Sequence, residues 1–291
     1  MTQRLERDDV LGGRFRLVEP LAEDPLLAVW RAEDLELSRD VIVKVLAPRW
    51  MDDPEMVERF RFEALAAAQL VHENVASTFD VEHTDGALYT VSERVPGPSV
   101  AQLRDAGPLP AMGVAAVGQQ AAAGLATAHA HDLVHRAICP ENLVVARDGR
   151  LCIIDFGSVQ PLAGGVMDLP EPVFPEPGIS DYWPPERLAG REVDDRGDVY
   201  SLGLVLWELL TGAAESGSVE DPGPVRRVLA SLPGVDIPAQ RLREVLTRAT
   251  AEDPADRPRA AELADDLVAI TGIRPQERLE QILEELDVAA G

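Results

Sequence analysis

HRAICPENLVVARDGRLCIIDFG, residues 135–157, holds two short apolar runs, 142–146 and 151–154, each followed by turn residues. Paired strands of this kind, set among helices, can carry a site. Long helical stretches lie on both sides: the alanine-rich 110–131, then 197–211 (GDVYSLGLVLWELLT) and 238–251. The half of the chain around the stretch is therefore expected to be mostly helical.

The preceding half reads differently. Residues 14–30 (RFRLVEPLAEDPLLAVW) predict two strands around a turn at Glu23-Asp24-Pro25, and 40–46 (DVIVKVL) predicts a third. Residues 53–70 carry apolar positions at helical spacing with Pro54 in the first turn, and 75–82 and 87–95 are again strand-like. The composition shifts at VPGPSV, residues 95–100. The expectation is an α+β chain with a small five-stranded antiparallel lobe and one main helix over 11–95, and a larger, mostly helical lobe over 96–271. A terminal amphipathic helix over 272–291 places Leu279, Ile282, Leu283 and Leu286 on one face. That face predicts a packing helix, with a homodimer contact or a junction to a membrane segment as the alternatives. The Pro/Glu-rich 168–178 reads as a loop, and no internal repeat is evident.

Composition narrows the function classes. At 291 residues and 46% hydrophobic content the chain can bury a sizeable core. No stretch approaches the uninterrupted apolar length of a membrane span and the first residues are charged, so the expected address is cytoplasmic, or the cytosolic domain of a larger membrane-anchored protein. Two cysteines, Cys139 and Cys152, are too few for a disulfide framework and lack metal-ligand spacing. A formal charge of −24 opposes nucleic acid and anionic membrane as partners through long-range repulsion. The plain reading of that charge is solubility, with an acidic face for a basic protein partner as the alternative. The basic residues are almost all arginine, and the single lysine is Lys44.

The order of motifs resembles the eukaryotic-like serine/threonine protein kinases of bacteria over roughly residues 11–271. In that family a strand lysine holds the ATP phosphates and pairs with a helix glutamate; VIVK supplies Lys44 and RFRFEAL supplies Glu63. HRAICPEN is similar to the catalytic loop HRDLKPEN, keeping Asn142 as a Mg²⁺ ligand but replacing the aspartate with Ala137 and the lysine with Cys139. Asp155-Phe156-Gly157 resembles the metal-binding DFG element, and Glu186 of GISDYWPPE matches the last residue of APE. Ile179 stands where the family's loop has a threonine that touches the catalytic aspartate and lysine. The resemblance further implies that Asp198 holds the catalytic-loop backbone, that Arg257 pairs with Glu186, and that His135 and Phe156 join the hydrophobic spine. Arg136 sits where many kinases grip a loop phosphate, yet 158–181 has no threonine and only Ser158 and Ser180.

The signals for nucleotide conflict. Lys44, Glu63, Asn142 and Asp155 favour Mg-ATP, with Val29, Ile42, Glu93 and Val95 as further contacts and Ser92 as gatekeeper. Against it, the family's GxGxxGxV appears as Ala22 to Val29 without its glycines; Pro25 lacks an N–H, Glu23 and Asp24 repel a polyanion, and Ile42 fills space where most kinases have alanine. A methyl group cannot accept the proton of a substrate hydroxyl, and a neutral thiol cannot balance charge on a moving phosphoryl group. Asp132, a few residues before Ala137, would have to swing round the histidine to act as base. The chain is accordingly read as a regulatory or scaffolding pseudokinase, not an enzyme, with weak or absent ATP binding and no required cofactor. The alternative is a low-activity or atypical ATP-dependent kinase or nucleotide transferase, and a phosphorylation-dependent binder is a third reading.

Overall fold

Alternation of side chains, with Val41, Val43 and Val45 buried on one face and Ile42 and Lys44 half-buried on the other, marks the strand at the centre of the first sheet. The computed structural model describes residues 5–23, 25–84, 86–156, 160–161, 179–212, 237–271 and 275–286. Described residues up to 71 and from 76 to 94 form one unit; 72–75, those from 95 to 161 and those from 179 onward form a second.

The first unit is an antiparallel sheet of β1 (Val10–Leu11), β2 (Phe15–Glu23), β3 (Leu27–Asp34), β4 (Arg39–Leu46), β5 (Thr78–Thr84) and β6 (Ala87–Glu93), in the order β1-β2-β3-β4-β6-β5. It has six strands, not five: Val10 pairs Arg16 and Leu11 pairs Phe15, a two-residue return too short to show an alternating pattern in sequence. Phe15, Leu17, Trp30, Ala32, Val41, Val43, Val45, Tyr89 and Val91 form its core. Arg14 clamps Asp34 through two bonds of 2.8 and 2.7 Å and holds that buried carboxyl well below the usual range. Helix α1 (Pro54–Ala68) begins where Asp53 accepts from the Glu55 and Met56 amides and Pro54 occupies the first turn. Phe60 joins Leu46 and Leu88 in a second cluster, flanked by Leu26, Leu27, Trp50, Met51 and Val57.

The second unit contains α2 (Val100–Ala106), α3 (Ala111–Ala130), β7 (Leu133–Val134), β8 (Leu143–Val145), β9 (Leu151–Ile153), β10 (Gln160–Pro161), α4 (Pro185–Leu188), α5 (Arg196–Thr211), α6 (Ile237–Ala249), α7 (Ala260–Thr271) and α8 (Pro275–Leu286). Ser99 and Gln102 close a reciprocal capping box on α2. Helix α3 is buried along most of its length because it is built of alanine, valine and glycine; a Cβ at Gly118 would lie 2.6 Å from Leu206 of α5 and 2.8 Å from Leu267 of α7. Strands β8 and β9 pair Leu143 with Ile153 and Val145 with Leu151, and β10 pairs β7. Asn74 donates to the Leu151 carbonyl at 2.7 Å and to Gln120 at 3.0 Å, fixing this hairpin on α3.

Helix α8 packs on α3 through part of its apolar face. Leu279 and Ile282 are buried, and a Cβ at Gly113 of α3 would meet Ile282 at 2.3 Å. Part of its apolar face thus packs within the chain, while Leu283 and Leu286 are half-buried. No helix among the described residues is long and apolar enough to cross a membrane.

Candidate functional site

The loop between β7 and β8 is built from its backbone outward. Asp198, in the first turn of α5 and 1% exposed, accepts from the His135 amide at 2.8 Å and the Arg136 amide at 2.7 Å. The same carboxylate takes His129 Nε2 at 2.9 Å. Burial alone would raise its pKa; the His129 contact, the nearby His135 ring and the backbone donor outweigh that and hold it below the ordinary range. An anion so placed fixes two successive amides, and Arg136 is thereby held at φ +64°. Asn142 Nδ2 donates to the Ala137 carbonyl at 2.9 Å, and the Ile154 amide donates to the Asn142 carbonyl at 2.9 Å. These bonds tie the loop to the end of β9.

Beyond β9, Asp155 also takes positive φ, at +64°, and Phe156 packs edge-on against His135 with ring centroids 4.6 Å apart. Gly157 lies outside the described residues, as do Ser158 and the segment 168–178. The backbone of Ile179 opens a short 3-10 turn, Ile179–Tyr182. Glu186, 2% exposed, receives Arg257 in a fork of 2.7 and 2.8 Å, and the same guanidinium donates to the carbonyls of Ala251, Glu252 and Arg196.

At the chemical positions themselves the loop is apolar. Ala137 is 6% exposed and Cys139 1%. Burial first, and Glu141 second, push the Cys139 thiol up to about 12, so it is neutral at physiological pH and supplies no cation. Asp132 is an exposed turn residue at φ +57°. Sequence reasoning missed Arg187, which donates to the Arg136 carbonyl at 2.6 Å while its guanidinium lies 3.7 Å over the Trp183 ring. It also missed His129; a histidine six positions before His135 was the available signal.

In the first unit, Val29, Lys44 and Thr90 occupy one cross-strand row and Arg31, Ile42 and Ser92 the next, so Ile42 and Lys44 share a face of β4. Glu63 on α1 accepts from Arg59 at 2.8 Å, an i,i+4 partner not anticipated from sequence. Glu93 ends β6, where its amide donates to the Ser77 carbonyl at 2.8 Å; Val95, half-buried, belongs to the second unit. Strands β2 and β3 stay paired through Ala22 with Val29 and Glu23 with Ala28, the region that corresponds to the family's glycine loop. Of that region Asp24 lies outside the described residues.

Asn142, its amide nitrogen committed to Ala137, and Asp155 are oxygen donors of the kind a hard cation takes. In the β2–β3 turn Pro25 has no N–H to offer a phosphate, and its carbonyl accepts from Trp50 Nε1 at 2.9 Å.

Comparison with known proteins places these features. The family model described as protein kinase domain matches residues 28–267. The chain is 30% identical over 259 residues to the serine/threonine-protein kinase PrkC of Bacillus subtilis, covering 87% of this chain and 39% of the relative. It is 32% identical over 254 residues to the serine/threonine-protein kinase PknL of Mycobacterium tuberculosis, covering 85% of this chain and 63% of that protein. The crystal structure of the Mycobacterium tuberculosis PknI kinase domain superposes with a TM-score of 0.68 at 28% identity, over 92% of this chain and 100% of that one. The chain thus spans less than two thirds of the length of these curated relatives.

Proposed function

The chain belongs to the protein kinase domain family, and from that premise we propose that it is a pseudokinase: a kinase-shaped module that binds or modulates a protein partner without transferring phosphate. One observation carries the reading. The loop backbone is held by Asp198 and Asn142, and at the position of the proton-accepting carboxylate it presents the methyl group of Ala137. The loop keeps these backbone ties but lacks the group that would orient and deprotonate an incoming hydroxyl. The neutral Cys139 thiol removes the second contribution, compensation of charge on the transferring group.

On this reading neither ATP nor Mg²⁺ is required, and the surface of the domain is what acts. The charge of −24 favours a protein over a nucleic acid as the partner. The test is transfer of radiolabelled phosphate from ATP to generic acceptor proteins, with Asp155→Asn as background and Ala137→Asp with Cys139→Lys as the restored loop. Transfer by the wild type that is stoichiometric and depends on Asp155 would end the proposal.

Retention of Lys44, Glu63, Asn142 and Asp155 favours a second reading, a low-activity ATP-dependent kinase. Thermal shift with ATP and Mg²⁺, alongside Lys44→Met, tests the nucleotide binding that this second reading requires. A shift that the lysine variant abolishes supports nucleotide binding, and no shift at millimolar ATP removes the basis for it.

A further inference from the structure

The hairpin tip between β2 and β3 is fastened to the connection between β4 and α1. Pro25 offers its carbonyl to two donors, Trp50 Nε1 at 2.9 Å and the Arg49 guanidinium, both in the 3-10 turn Pro48–Trp50. The next carbonyl, that of Leu26, accepts from the Ala47 amide at 2.8 Å, continuing the ladder past the Leu27 to Leu46 pair. Leu26 and Leu27 pack with Trp50, Met51 and Val57 against buried Leu46, Phe60 and Leu88. The tip is thus bound by hydrogen bonds to the connector and by apolar contact to α1, the helix that carries Glu63.

A loop that closes on phosphates needs the opposite arrangement: free N–H groups directed at the ligand, and a tip able to move. Here the residue at the turn has no N–H, and its carbonyl and the one that follows are committed within the same unit. We infer that Pro25, Arg49 and Trp50 form a built-in latch that holds the Pro25–Leu26 side of the β2–β3 turn against its own sheet and helix. The tip acts as a fixed part of the first unit and as an anchor for α1, in place of a ligand-responsive lid. This latch is separate from the chemistry at Ala137 and does not depend on it.

Hydrogen exchange of the full chain, followed by mass spectrometry on peptides spanning 22–29, tests the latch. Trp50→Phe with Arg49→Met removes both donors yet leaves an aromatic ring in the Leu26 cluster, so the fold has its packing. The expected result is exchange of the tip about tenfold faster or more in the double variant, with peptides from α3 and α5 unchanged. In the wild type, tip exchange is expected to be the same with and without millimolar Mg-ATP. Equal tip exchange in variant and wild type overturns the latch, as does added tip protection by Mg-ATP in the wild type. Slowed exchange around Lys44 with an unaltered tip supports the latch while counting against the nucleotide-free reading of the site. Unfolding across all peptides in the double variant is resolved by Trp50→Phe alone, which must still speed the tip and nothing in α3 or α5.

Discussion

Replacing Arg257 with methionine is expected to strip a buried carboxylate and three carbonyls of their donor in one step, at a cost that threatens the folding of the second unit. The Arg257 side chain is fully buried (0% exposed) and faces Glu186 at 2.7 and 2.8 Å. It further satisfies the carbonyls of Ala251 at 2.7 Å, Glu252 at 3.0 Å and Arg196 at 3.3 Å, and its guanidinium lies 4.7 Å over the Tyr200 ring. A buried carboxylate stripped of its partner costs about 3–5 kcal/mol. Three carbonyls losing donors add about 1 kcal/mol each where water does not reach them. The sum, roughly 6–8 kcal/mol, is comparable with the whole stability of a domain. Arg257→Lys keeps the charge but not the fork, and a loss of about half that is expected. Glu186→Gln in the methionine background removes the stranded charge and should recover about 2 kcal/mol. Urea unfolding followed by circular dichroism measures all three. A methionine variant within about 1 kcal/mol of wild type would refute the reasoning, because then neither the pair nor the carbonyls bear on folding.

Three further outcomes are expected. Asp198 has a depressed pKa in the folded state, so between that value and the ordinary one near 3.8 the folded chain binds fewer protons than the unfolded, and stability rises with pH. Asp198→Asn should therefore cost about 2 kcal/mol at neutral pH, and the gap to wild type should close as pH falls below 3.8; a gap constant with pH contradicts the assignment. Both thiols are buried, so Ellman's reagent at pH 8 should find none in the native chain and two after denaturation, and a fast-reacting native thiol contradicts the placement of Cys139. Arg187→Ala should cost about 1–2 kcal/mol by freeing the Arg136 carbonyl and the Trp183 ring face; no change in the melting curve would mean that this clasp does not hold the loop.

How far the sequence reveals the molecule depends on the range of each contact. The strand and helix pattern is legible because periodicity and caps are local: Pro54 after Asp53, alternation in β4, and the alanine-rich α3 all announce themselves. Strand β1 is not, since two residues cannot display a period. The loop geometry around His135 is reached only through its likeness to a known motif; nothing in the spacing says that a carboxylate 63 positions later holds its amide. Arg59 and Arg187 escape for the same reason. A chain with this many arginines offers no local mark that distinguishes the one beside Glu63 or under the Arg136 carbonyl. The latch is half visible: Pro25 reads as a lost donor, but its acceptor role depends on Trp50, which sits across a hairpin and a strand.

The proposed pseudokinase role rests on the methyl group at position 137, and the most direct measurement is phosphate transfer by the wild-type chain beside Asp155→Asn, with radiolabelled ATP, Mg²⁺ and protein acceptors. Incorporation indistinguishable between the two is the predicted result. Stoichiometric incorporation by the wild type, lost in the asparagine variant, would contradict it.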